Sequence, residues 1–160
     1  MKITYTIVSD TVTPDLKARL GRVQNPAPAM RRMGKAIAEW AKSAFKKPSK
    51  RPAAWPPLAA RTLAQKKKKG YGSKPLIASG LLARSPRVIS VTRNAVVVGS
   101  DRAAKTKAGT EYSLAAIHQL GAPRRHIPAR PFFPFHNGST MPEAKKQVTS
   151  ILRNWLRGKG

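Results

Sequence analysis

An α+β fold is what this sequence predicts: a small antiparallel sheet packed against a long helix and a C-terminal helix, with an extended basic arm. Three observations predict it. Two segments, near 28–46 and 142–157, repeat apolar residues at helical spacing. Two β-branched runs, Val88–Val91 and Ala95–Gly99, flank the turn-forming pair Arg93-Asn94. Ten of the 14 prolines among 160 residues cluster at 26–28, 48–57 and 123–134, where regular structure must stop. One domain is expected over 1–160, with a basic proline-rich arm at 47–74.

Taken in order, Ile3, Tyr5 and Ile7 alternate with Lys2, Thr4 and Thr6, the period of a half-buried strand. Thr13-Pro14 then reads as the N-cap and first residue of a short helix reaching Gln24, which should bury Leu16, Leu20 and Val23. Asn25-Pro26-Ala27-Pro28 breaks it. Met30, Met33, Ile37, Trp40 or Ala41, and Ala44 form the apolar stripe of the long helix, and core packing is the expected use of these side chains. Leu76–Arg84 has the spacing of a short helix despite Gly80. The hairpin follows, making a sheet of three or four strands in all. Arg102–Thr110 is polar and basic, and Tyr112–Leu120 suits a short helix ended by Gly121. Pro128, Pro131 and Pro134 lack amide donors, so Ile127–Phe135 should be an extended, polyproline-like segment. Ala144, Val148, Ile151, Leu152, Trp155 and Leu156 define the apolar face of the last helix.

Lysine and arginine number 32 against 6 acidic residues, a formal net charge of +26. That imbalance calls for a polyanionic neighbour, or an assembly whose other members supply negative charge. Cysteine is absent, so thiolate metal sites and cysteine nucleophiles are excluded. The longest charge-free stretches, Pro52–Ala60 and Pro75–Ala83, fall far short of the roughly 20 residues that span a bilayer. Met1–Ser9 reads as a strand rather than a secretory signal, so a soluble chain without membrane contact is expected.

Catalytic signatures are scarce. The carboxylates of Asp10, Asp15, Glu39, Asp101, Glu111 and Glu143 are scattered, with no pair spaced to share a helix face. His118, His126 and His136, with Glu111, match no standard ligand spacing, and neither a metal-protease motif nor a glycine-rich phosphate loop is present. No cofactor is implied. The arm is the strongest compositional signal. Lys46, Lys47, Lys50, Arg51, Lys66, Lys67, Lys68 and Lys69 could neutralise DNA phosphates or face an acidic partner protein. About five phosphate contacts would give a salt slope near −4.5 in log K. Only Trp55 and Tyr71 interleave with the arm's cations, so sequence-specific nucleic-acid reading is not supported. With so little apolar area, the arm is expected to be mobile in water and to order on assembly, Trp55 serving as its anchor.

A set of motifs in fixed order carries a family resemblance. Trp55-x-Pro57-Leu58-x-x-x-Thr62 comes first, then Leu76-x-x-Ser79-Gly80-x-Leu82-x-x-Ser85 and Val97-Val98-Gly99-Ser100. Last is Tyr112 and Ile117-His118-Gln119-x-Gly121, running into Ile127-Pro128-Ala129-Arg130-Pro131-Phe132. Over roughly 30–135 this resembles the phage virion morphogenesis family, the tail-completion proteins of Mu-like and related tailed phages. The resemblance implies a non-enzymatic neck component, made in the host cytoplasm and built into the virion as a ring, of about six copies, around the DNA channel. Implied partners are a portal, connector or stopper protein, a tail-terminator or tail-tube protein, and packaged double-stranded DNA. Trp55, Leu58, Thr62, His118, Gln119, Ile127, Pro128, Arg130, Pro131 and Phe132 are then arm-anchoring and ring-contact positions rather than catalytic ones. The Lys66–Lys69 run and the basic loop at Arg102–Lys107 depart from the family pattern. The competing class is a nucleoid-like basic protein that binds nucleic acid, which leaves the Trp55 and Ile127–Phe132 motifs without a purpose.

Overall fold

A computed structural model describes residues 9–105 and 109–159; the strand expected at Ile3–Ile7 lies outside them. Helices α1 (Val12–Gln24) and α2 (Ala27–Ala44) are followed by a single 3-10 turn at Pro48–Lys50, then α3 (Ala60–Lys68) and the one-turn α4 (Leu81–Arg84). Strands β1 (Arg87–Val91), β2 (Val96–Gly99), β3 (Ala103–Lys105) and β4 (Glu111–Ser113) lead into α5 (Leu114–Leu120). After the proline-rich segment come β5 (Phe135–His136), β6 (Ser139–Thr140) and α6 (Pro142–Leu156). The α+β class, the long helix and the C-terminal helix are as the sequence predicts.

The strands do not join into one sheet. They form three separate antiparallel pairs, β1–β2, β3–β4 and β5–β6, each between chain neighbours linked by a short connection. The first hairpin pairs Val88 with Val98 and Val91 with Val96, with a bulge between Val88 and Ser90. The basic stretch after Arg102, expected to be irregular, supplies β3, and Tyr112 pairs with Ala104 in β4 rather than opening the helix. Ser113 caps α5 instead, its Oγ accepting from the Ala116 amide at 3.2 Å.

Helix α2 organises the described residues because it is apolar on more than one face. It packs against α6 on one side and against β1 and β2 on another. Ala29, Met33, Ala38, Trp40, Ala41 and Ala44 are buried along it. Gly34 sets the approach of the hairpin: a Cβ built there would lie 2.5 Å from Val96 Cγ2 and 2.9 Å from Val88 Cγ2. The helix accepts the backbone cost of an interior glycine to let the strands in. At its end, Phe45 enters a cluster with Ala41, Ala44, Ala115, Phe132 and Phe133.

Three expectations need correction. Leu16, Leu20 and Val23 are not buried: with Val12 they form an exposed stripe, each at least 56% accessible. Helix α1 packs mainly on α6, and the Arg22 guanidinium reaches the Leu156 carbonyl at 3.3 Å, so the apolar stripe is left facing outward. The cap of α1 is Asp10 rather than Thr13, its Oδ1 accepting from the amides of Val12 at 3.1 Å and Thr13 at 2.9 Å. A carboxylate outcompetes a hydroxyl there because it also meets the positive end of the helix dipole. Leu76–Arg84 is mostly non-helical, since Leu76 takes a left-handed φ of 58° and the chain turns again at Gly80 before α4.

The Gly34 contact yields a direct test. Gly34→Val should destabilise the chain by about 1–3 kcal/mol through overpacking against β1–β2. Val96→Ala in the same background should restore part of that loss. Urea denaturation of the single and double variants checks this, and additive losses would show that the two positions are not in conflict.

Candidate functional site

Two proline-rich segments, Pro52–Pro57 and Pro128–Pro134, cannot satisfy their backbones through a helix or a sheet ladder. Side chains take over. Gln119 is 4% exposed, and its Oε1 accepts from the amides of Phe132 and Phe133, each at 3.0 Å. Its Nε2 donates to the Phe135 carbonyl at 2.7 Å, so the amide orientation is fixed by its three partners. The indole Nε1 of Trp55 donates to the Pro131 carbonyl at 2.8 Å. In return, Arg130 donates through Nε to the Pro56 carbonyl at 3.0 Å and through a terminal nitrogen to the Pro57 carbonyl at 2.8 Å. The segments hold each other in a clasp.

Aromatic packing lies beneath these bonds. Phe45 meets Trp55 edge-on at 5.6 Å and Phe132 at 4.9 Å. The Arg51 guanidinium sits 3.9 Å over the Trp55 ring and donates to the Ala44 carbonyl at 2.8 Å. Lys50 covers the Trp40 ring at 3.7 Å, and Trp40 Nε1 reaches the Lys50 carbonyl at 2.9 Å. The first part of the arm is therefore docked on its own chain. Gly121 completes the arrangement: at φ 80°, its missing side chain lets Ala129 N approach to 2.9 Å of where a Cβ would stand.

Beside the clasp runs a partly open groove of about 730 Å³. Its apolar lining includes Leu58, Leu76, Ile77, Leu81, Leu82, Leu114 and Ile127. Its polar lining includes Lys66, Arg102, His118, His126 and Arg130, with no carboxylate. Lys66 is bent inward, with Nζ 2.6 Å from the carbonyls of both Lys74 and Ile77, and burial lowers its pKa. Arg130 is only 6% exposed and meets carbonyl dipoles rather than an acid. Among the described residues, the buried Nε of Arg102 and the buried Nδ1 of His118 have no hydrogen-bond partner. Burial, and then the charge of Arg130, push the His118 pKa below its ordinary 6.5.

The residues singled out from sequence thus divide. Leu58, Thr62, His118, Ile127, Pro128 and Arg130 converge on the groove, while Trp55, Gln119, Pro131 and Phe132 build the clasp and core. Lys46, Lys47, Lys67, Lys68 and Lys69 are exposed, the last three at the end of α3. Lys50, Arg51 and Lys66 are engaged within the chain. Arg102, His126 and Leu114 escaped the sequence reading as groove residues. The strand block that precedes Arg102 is placed by its packing on α2 and by the pairing of two motif serines, Ser85 Oγ to Ser100 Oγ at 2.6 Å, and linear spacing reveals neither. Among the described residues, no group of three or more His, Asp or Glu side chains is placed to hold a metal ion.

Two predictions follow from this geometry. Gln119→Leu leaves three backbone groups without partners, at about 1–3 kcal/mol for each buried one. A loss of at least about 3 kcal/mol in urea denaturation is expected, and a loss below about 1 kcal/mol would remove Gln119 from the clasp. His118 gives the second. Its folded pKa is lowered, so its contribution is fully present above pH 6.5 and is lost as pH falls below that, when the unfolded chain takes the proton first. Thermal melting from pH 7 to 5 should show this decline, and His118→Asn should flatten it; an unchanged slope would assign the decline to other groups.

No helix among the described residues is long and apolar enough to cross a membrane. Searches of curated proteins and of solved structures find no match. A family model, described as the phage virion morphogenesis family, matches residues 8–157, nearly the whole chain and well beyond the 30–135 span of the motifs. With the motif residues gathered on one clasp and one groove, and the match running almost end to end, the chain belongs to the phage virion morphogenesis family.

Proposed function

We propose that this chain is a tail-completion or head–tail joining protein of a tailed phage, assembled as a ring around the DNA channel and acting by position rather than by catalysis. Family membership supplies the coarser statement, a structural or assembly role in the phage virion. The observation that carries the finer one is the uncompensated positive surface. Ion pairs among the described residues engage Arg19, Lys42, Arg87 and Lys105 with Asp15, Glu39, Asp101 and Glu111. Asp10 is spent capping α1, and Glu143 lies in the first turn of α6. Five of the six acidic side chains are thus in local contacts, and most of the 32 cations are left for something outside the chain. A DNA channel and the acidic faces of portal, connector, stopper, tail-terminator or tail-tube proteins would both neutralise them.

The exposed stripe of Val12, Leu16, Leu20 and Val23 supports an assembled state. Four large apolar side chains in register on one helix face form the kind of patch that protein contacts cover. In a ring of about six copies, burying part of this area would offset like-charge repulsion between neighbours, and DNA or acidic partners would screen the rest.

Electron cryomicroscopy of virions carrying a small tag after Gly160 tests the proposal. Ring-shaped tagged density at the head–tail joint is the expected result. Virions without tagged density, with the protein instead recovered on nucleic acid from infected cells, would replace this assignment with that of a basic nucleic-acid-binding protein.

A further inference from the structure

We propose that the groove beside the clasp is a peptide-docking site, and that its occupant is an extended segment of a partner protein. That segment carries apolar side chains for the trough and an Asp or Glu carboxylate for Arg130 and Arg102. The site assignment does not depend on the ring reading, because it follows from the lining alone.

Charge complementarity decides the occupant. Arg130 holds a full positive charge almost wholly out of water, answered only by the carbonyls of Pro56 and Pro57. Carbonyl dipoles orient a guanidinium but do not neutralise it, and a buried charge without a counter-ion is costly. Among the described residues, the Arg102 guanidinium has no acidic partner, and its Nε is buried without a hydrogen bond. His118 Nδ1 is likewise unanswered on the same lining. A carboxylate entering here would meet the positive charges of Arg130 and Arg102, with no acidic side chain among the described lining residues to repel it. This chain has only six acidic residues, and five of them are already in the ion pairs and cap described above. The sixth, Glu143, stands in the first turn of α6 and is not on the groove lining, so the carboxylate is assigned to a partner protein.

The rest of the lining separates a peptide from a nucleic acid. Aliphatic side chains dominate the trough, and among the described residues none of its lining is Phe, Tyr or Trp. Single-stranded nucleic acid uses aromatic platforms on which bases stack, and duplex phosphates call for exposed cations rather than an aliphatic floor. An extended chain suits the trough better: apolar side chains fill it while charged ones reach its polar groups. The volume, about 730 Å³, also falls in the range of roughly 300–1,000 Å³ typical of binding pockets.

The test uses the full chain and a random 12-residue peptide library displayed on yeast, selected in high salt to suppress diffuse attraction to the cationic surface. The best peptide is then titrated as a synthetic fluorescent probe against four forms of the protein, with thermal melts confirming that each is folded. Enriched sequences should combine apolar residues with Asp or Glu. Arg102→Gln and Leu81→Asp should each weaken the probe by about tenfold or more, as losing a charge-assisted hydrogen bond or fouling an apolar wall does. Lys145→Gln/Lys146→Gln, on α6 and away from the groove, should leave affinity unchanged. Three results would overturn the proposal. One is no enrichment above an unrelated basic protein. Another is purely acidic winners that lose equally with Lys145→Gln/Lys146→Gln. The third is displacement of the probe by a short DNA duplex whose own binding falls with Arg102→Gln, which would make the groove a nucleic-acid site. A ring at the head–tail joint, or its absence, is read separately and changes none of these outcomes.

Discussion

Backbone satisfaction in the two proline-rich segments is the constraint on which the rest of the structure depends. Proline removes donors and forbids the ladders that ordinarily pair a buried backbone, yet Pro131, Phe132, Phe133 and Pro134 are buried. The solution is side-chain substitution: Gln119 serves two amides and a carbonyl, Trp55 serves Pro131, and Arg130 serves Pro56 and Pro57. Because the donors and acceptors come from both segments, neither can be placed without the other. The arm, the α5 helix and the strap after it are therefore positioned together, and the Phe45–Phe132 contact transmits that placement to α2.

The clasp also explains why the arm behaves differently along its length. From Pro48 to Pro57 it is tied down by Trp40, Arg51, Trp55 and Arg130. Beyond Leu58 it becomes α3, whose described side chains are nearly all exposed and whose last residues are lysines. Lys66 alone of that run turns inward, toward the carbonyls of Lys74 and Ile77. Its neighbours Lys67, Lys68 and Lys69 sit where the helix's own negative end attracts cations, and they remain free to meet an external anion. One basic segment thus holds both an internal fastening and an outward-facing charge cluster.

Legibility in the sequence followed the range of the interactions involved. The two long helices were readable because 3.6-residue periodicity is local, and α6 runs from Pro142 to Leu156 as its apolar spacing implies. The hairpin was readable from Val88–Val91, Ala95–Gly99 and the turn between them. The burial of Leu16, Leu20 and Val23 was misjudged because periodicity reports an apolar face without reporting what covers it. The helix expected at Leu76–Arg84 failed because tertiary packing sets Leu76 at a positive φ that spacing cannot foresee. For the groove, the motif positions were visible but not their convergence. Arg102 was legible only as part of a basic loop, and it reaches the site through long-range placement: the β1–β2 hairpin on α2, and Ser85 against Ser100.

This difference gives the ordered motifs a physical meaning. Trp55, Gln119 and Arg130 are far apart in sequence yet hydrogen-bond to the same two proline segments, so each requires the others in order to be of use. Arg130 joins the two roles, since the guanidinium that fastens the arm also lines the groove. Removing it would leave the Pro56 and Pro57 carbonyls without these donors, whereas an anion in the groove would supply the counter-charge that the guanidinium lacks within the chain. A fold whose fastening residue stays cationic, buried and without an acidic partner holds unspent electrostatic energy at that point. An external carboxylate would release it by pairing with the guanidinium that fastens the arm.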